Sequence, residues 1–183
     1  MKLSKAHFIK DLETRLSAIY SFFAEESIQI SELTDEVIKK AKLAGFEDKQ
    51  THIITKDTDW SFLSSENENF DLFGSKKIVE IKLIGTGPGN KGSKAIKDYC
   101  LDADENKLLI ISAERLEKKQ QTSAWAKALD ENGVFVVEPP VNKSSMPIWI
   151  KAKATSLKLD LNVQAIQLLS EKTEGNLLAA SQE

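Results

Sequence analysis

Five short apolar runs separated by helix-like segments constrain this chain more than any other feature. The runs are AIYSFF (18–23), THIIT (51–55), KKIVEIKLI (76–84), KLLIIS (107–112) and VFVVE (134–138). Between them the apolar spacing turns helical. Leu3, Phe8, Leu12 and Leu16 mark a helix over 4–17, and Ile28 to Leu43 mark a long one that Gly45 ends. DTDWSFLSS (57–65) opens with capping residues, a further helix runs to Leu101, and KKQQTSAWAKAL (118–129) is followed by Gly133. Such alternation forces right-handed crossovers, so the expected fold class is α/β, a five-stranded parallel sheet with helices on both faces. The 41% hydrophobic content of the 183 residues is enough to fill the core this requires.

Pro139-Pro140 stops the alternation. Beyond it SSMPIWIKAKATSL, NVQAIQLLSEKT and EGNLLAASQE are helix-like with no strand between them. The expected organisation is therefore an α/β domain over 1–140 and a small helical, lid-like domain over 141–183. The last helical pattern breaks off at Glu183, which predicts a fragment of a longer protein.

Several function classes are disfavoured. Net charge is −3, and only Arg15 and Arg115 among the 25 basic residues are arginines, a poor basis for direct base reading. One cysteine, Cys100, and two histidines, His7 and His52, cannot assemble a zinc-type ligand set, so no metal is expected. The N-terminal stretch is charged throughout and lacks the apolar core of a signal peptide, and no run approaches membrane-spanning length; the expectation is a cytoplasmic protein without membrane contact. Glu25 with Glu26, and Asp102, Asp104 and Glu105, are candidate acid/base or metal clusters whose ordinary reading is solvated loop charge. His7 and His52 read as packing residues and Cys100 as a small buried thiol.

GTGPGNKGSK (85–94) poses the main functional question. Gly87, Gly89 and Gly92 satisfy the G-x-G-x-x-G spacing between a strand and a helix, where glycines would let a pyrophosphate approach a helix N-terminus. Against a phosphate cradle, Pro88 removes an N–H donor. The strand before it alternates Val79, Ile81 and Leu83 with Glu80 and Lys82, which predicts a half-exposed strand near a sheet edge. Ser93-Lys94 also stands in the reverse of the order a Walker lysine and hydroxyl need. The loop after the first strand is the better test of a nucleotide fold, and there Ala24, Glu25, Glu26 and Ser27 replace glycines and a lysine. Carboxylates there would repel a triphosphate. After the fourth strand Ser112 and Ala113 stand where magnesium chemistry needs acids, and Glu114 comes too late. Two readings stay open: a connecting turn, or the ligand loop of a nucleotide- or dinucleotide-dependent enzyme. A direct DNA-binding module is a third.

NFDLFGSKK (69–77) places Phe70, Leu72 and Phe73 beside Asp71 in a connection between helix and strand. Large apolar residues there either cap the core or form an exposed plug for a partner's pocket.

Four stretches resemble the delta subunit of the bacterial DNA polymerase III clamp loader: DLFGSKK, RLEKKQQTSAWAKAL, MPIWIKAKATSLKL and TEGNLLAASQE. The likeness runs in order along nearly the whole chain. It implies an AAA+-type fold, of the P-loop NTPase class, that has lost its nucleotide site, with no catalytic residues and no cofactor of its own. It implies a third, collar-forming helical domain that this chain lacks. Leu72 and Phe73, flanked by Phe70 and Asp71, would be the element that enters a hydrophobic pocket on the ring-shaped sliding clamp (beta). The other implied partners are the gamma/tau and delta prime subunits and primed DNA reached through the assembled complex, with ATP bound and hydrolysed by partner subunits. Ala24 and Ser27 replace the glycine and proline usual after the first strand, and Asp71 stands where serine is common.

Overall fold

The computed structural model describes residues 2–55, 58–63, 76–85, 87–103 and 106–183. They form two compact units, Met1–Glu138 and Pro139–Glu183.

The first unit is built on six parallel strands: β1 (Lys2–Leu3), β2 (Ile19–Ala24), β3 (Asp48–Ile54), β4 (Lys77–Leu83), β5 (Lys107–Glu114) and β6 (Val134–Val137). Their order is β1-β6-β2-β5-β4-β3. The five expected strands are all present, and β1 is an addition, two residues long, paired to β6 through Lys2 with Phe135 and Leu3 with Val136. So short a run carries too little periodicity to be read as a strand. The helices are α1 (Lys5–Thr14), α2 (Ser27–Leu43), α3 (Gly89–Leu101), α4 (Lys118–Gln121) and α5 (Ala124–Asn132).

Central strands are apolar throughout because helices cover both their faces. In β2 every residue is buried, and in β5 all but Glu114. On one face Tyr20, Phe22, Leu108, Ile110 and Val136 meet Phe8 and Leu12 of α1 and Leu33, Val37 and Ala41 of α2. On the other, Ile19, Phe23, Leu109, Ile111 and Phe135 meet Ile96, Tyr99 and Cys100 of α3 and Trp125, Ala126 and Leu129 of α5. Phe23 joins that layer through Phe135 at 4.9 Å and Trp125 at 6.0 Å between ring centroids.

Three local expectations need correction. The strand before the glycine turn lies second from the edge, but it is not half exposed: Glu80 is 3% exposed. Its carboxylate accepts from Lys49 Nζ at 2.8 Å and Thr51 Oγ1 at 3.0 Å, both on the outer strand β3, with Lys82 Nζ at 3.5 Å. A charged residue at an outward position can thus be buried by its own ion partners, and the exposed edge is β3. KKQQTSAWAKAL is two helices, because Ser123 is extended (φ −69°, ψ 163°) and opens α5 as its N-cap. His7 is exposed rather than packed; its N–H donates to the N-cap Ser4 Oγ at 3.4 Å and its Nδ1 lies 3.0 Å from that oxygen. Of the helix read at 57–65, residues 61–63 are helical, and 57, 64 and 65 lie outside the described residues.

The second unit holds α6 (Met146–Ser156), α7 (Val163–Thr173) and α8 (Leu177–Gln182). Met146, Ile150, Ala154, Ile166 and Leu177 are its buried apolar residues. The E-G-N stretch makes the α7–α8 corner: Glu174 (φ 50°) and Gly175 (φ 91°) take left-handed conformations, and Asn176 Oδ1 then accepts from the Ala179 N–H at 3.0 Å.

Candidate functional site

Because all six strands run parallel, the loops after β2, β4, β5 and β6 gather at one edge of the sheet, where α/β folds bind ligands. Glu25 and Glu26 follow β2 and are exposed, as is Glu114 at the end of β5. Glu138 follows β6 and is half-buried; its N–H donates to the Phe23 carbonyl at 2.8 Å. Burial pushes the Glu138 carboxyl above its ordinary range, Glu32 adds to that, and Lys5 opposes it in part. Arg115, in a left-handed conformation at φ 53°, donates its backbone N–H to the Ala24 carbonyl at 2.8 Å. That carbonyl is therefore engaged by protein at the turn where a phosphate loop would begin. Helix α2 starts at Ser27 with Glu26 as N-cap and no side-chain capping bond. A carboxylate at a helix N-terminus suits the dipole and would repel an anionic ligand approaching the same helix end.

The glycine-rich turn has a different physical purpose at each position. Gly87 (φ 114°) and Gly89 (φ 67°) adopt backbone conformations that L side chains avoid. Gly92 has an ordinary helical φ but no room: a Cβ there would lie 2.4 Å from Cε2 and Cζ2 of Trp60 and 2.7 Å from Cβ of Pro88. Pro88, itself buried, is the N-cap of α3. The third glycine of the apparent dinucleotide pattern thus seats an indole. A depression of about 620 Å³ beside the turn is lined by Gly87, Pro88, Asn90, Ser93, Gln120 and Trp125 among others. No lysine or arginine lines it among the described residues, so a phosphate there would meet no countercharge.

A second hollow, about 410 Å³, lies between α2 and the ends of β3, β4 and β5. Thr34, Asp35, Lys49, Glu80, Lys82 and Ser112 line it. Both lysines are committed to Glu80. Burial raises the Glu80 carboxyl, but the bonds from Lys49 and Thr51 and the charges of Lys49 and Lys82 outweigh it, leaving the group below the ordinary carboxylate range.

The remaining candidates are placed as follows. Cys100 is buried, and burial pushes its thiol up to about 12. His52 stacks face to face on Phe62, centroids 4.0 Å apart at 12°. Asp102 is exposed, while Asp104 and Glu105 lie outside the described residues. Phe70, Asp71, Leu72 and Phe73 also lie outside them. Among the described residues no group of three His, Cys, Asp or Glu side chains could hold a metal ion, and no helix is long and apolar enough to cross a membrane. Trp60 and Phe62 belong to no motif that marks their role in the sequence, where the only signal is two aromatics, two residues apart, beside Leu63 in a short stretch otherwise made of Asp, Ser and Thr.

The architecture is AAA+-like. The Bacillus subtilis DNA clamp loader delta protein superposes over 97% of this chain and 55% of its own, with a TM-score of 0.71 at 15% identity. The Thermotoga maritima Holliday junction branch migration motor RuvB superposes over 97% of this chain and 59% of its own, with a TM-score of 0.55 at 10% identity. At those identities the likeness speaks for the fold. In sequence, DNA polymerase III subunit delta of Escherichia coli is 30% identical over 171 residues, covering 93% of this chain and 50% of the relative. The chain thus spans about half the length of the curated relative it matches. The family model described as DNA polymerase III, delta subunit, matches residues 20–138, nearly all of the α/β unit from β2 onward. On that match the chain belongs to the DNA polymerase III delta subunit family.

Proposed function

We propose that this chain is the clamp-binding part of a clamp-loader delta subunit, holding the sliding clamp through Leu72 and Phe73. The observation that carries the reading is the family match over residues 20–138, which spans both side chains. The sheet edge supports it: the exposed carboxylates of Glu25 and Glu26 stand where a nucleotide-hydrolysing relative would hold phosphates, so the chain acts as a lever on a partner rather than as an ATPase. ATP is bound and hydrolysed by the gamma/tau subunits, delta prime completes the assembly, and primed DNA is reached through the complex. Residues 1–140 supply the clamp-facing α/β domain and 141–183 a lid-like helical domain.

Inserting one leucine and one phenylalanine into an apolar pocket supplies roughly 3 to 6 kcal/mol. That corresponds to about two to four decades in dissociation constant, enough to bias a strained ring interface toward opening. Phe70 and Asp71 flank the pair and shape its approach. A pulldown with Leu72→Ala/Phe73→Ala tests the reading: clamp capture is lost while the circular dichroism spectrum is unchanged. Full capture by the folded double variant refutes it.

A further inference from the structure

Along β4, Ile78 is the last side chain in the apolar layer under α1 and α2, although the strand runs on to Leu83. Thr51 pairs with Glu80 and Ile53 with Lys82, so these side chains share the face of Ile78, and Ile84 continues the alternation just past the strand. The hollow of about 410 Å³ opens on this face, with α2 as one wall. Where α2 covers β2 and β5 it presents Leu33, Val37 and Ala41. At the hollow it presents Ser27, Ser31 and Thr34, which are too short to fill the space.

Three observations define what fits there. Ile53 and Ile84, both lining the hollow, are each 60% exposed, which leaves aliphatic surface uncovered. Thr34 is 4% exposed, yet its Oγ1 has no hydrogen-bond partner. A buried hydroxyl in that state costs stability until something bonds it. The third observation is charge. Two amines, Lys49 and Lys82, line the hollow with three carboxylates, Asp35, Glu80 and Glu114, and both amines are spent on Glu80. Asp35 and Glu114 are exposed and make no ion pair among the described residues. Lys39, whose charge acts on Asp35, is bound to Glu36 at 2.8 Å.

We propose that this hollow is a docking groove for a segment of a partner protein that carries lysine or arginine beside an aliphatic residue. The aliphatic group covers Ile53 and Ile84, the cation meets Asp35 and Glu114, and a polar group of the segment bonds the Thr34 hydroxyl. An acidic segment meets like charge at both rims and is rejected. The groove is built from α2 and the ends of β3, β4 and β5, and it stands apart from the clamp-binding reading.

The test is an NMR titration of the ¹⁵N-labelled full chain with two short synthetic peptides, one alternating leucine with lysine and the other leucine with glutamate. The lysine peptide is expected to saturate and to shift the amides of Thr34, Ile53 and Ile84, and the glutamate peptide to leave them in place. Thr34→Val separates a binding role from a structural one. Losing an unpartnered hydroxyl leaves the urea midpoint unchanged or raised, while the lysine peptide binds about fivefold more weakly. Asp35→Asn/Glu114→Gln, both at exposed positions, weakens it by about the same factor at low salt. Equal binding of the two peptides, no saturation, shifts confined to other surfaces, or an affinity unmoved by either variant overturns the proposal. So does a Thr34→Val chain that is less stable than wild type, because the hydroxyl then serves the fold.

Discussion

Glu80→Gln isolates the charge that β4 presents to Lys49 on the edge strand and to its own Lys82. Glutamine keeps the shape and can still accept from Lys49 and Thr51, so the loss is confined to charge attraction at 2.8 Å and 3.5 Å. The side chains of Lys49 and Lys82 are 37% and 51% exposed, so solvent screens that attraction and both amines return to water when it is removed. The expected cost is about 1 kcal/mol at neutral pH, well short of the 3 to 5 kcal/mol roughly lost when a fully buried pair is broken. In a domain of this size that lowers the melting midpoint by about 2 to 4 °C. The pH dependence gives a sharper test. The folded-state pKa of Glu80 lies below its ordinary value, so its stabilising effect is complete above the unfolded pKa near 4.5 and disappears as pH falls through the folded value. Urea titrations of wild type and Glu80→Gln at pH 7 and pH 3 should therefore show a gap at pH 7 that narrows or closes at pH 3. An equal gap at both pH values, or none at pH 7, refutes the account of how Glu80 is buried.

Cys100 should resist a thiol reagent at pH 8 in the folded chain and react on addition of denaturant, because burial holds the thiol near 12; rapid native-state labelling contradicts this. Asn176→Ala removes the acceptor for the Ala179 N–H at the start of α8 and should cost about 1 kcal/mol, seen as faster amide exchange confined to 139–183. Exchange that quickens equally in the α/β unit counts against that cap's local role.

Legibility followed burial on two faces. β2, β5 and β6 are apolar because nothing else survives between two helical layers, so their runs in the sequence were unambiguous. Glu80 misled because alternation reports which side a residue faces, and not whether neighbours from another strand have closed over it. The break at Ser123 was hidden because the helical spacing of α5 continues smoothly back through Gln120 and Gln121, whereas a cap is a matter of one residue's backbone. At the candidate site, Ala24, Glu25 and Glu26 already argued against phosphate, since that argument needs only charge and side-chain type. The seat of Trp60 on Gly92 joins residues 32 positions apart, a contact no local pattern encodes.

Calorimetric titration of the chain into purified sliding clamp, with no nucleotide present, decides whether this scaffold grips a ring-shaped clamp without using nucleotide itself. A saturable complex whose affinity is unmoved by adding ATP is the predicted result. Absence of binding until ATP is supplied would contradict it.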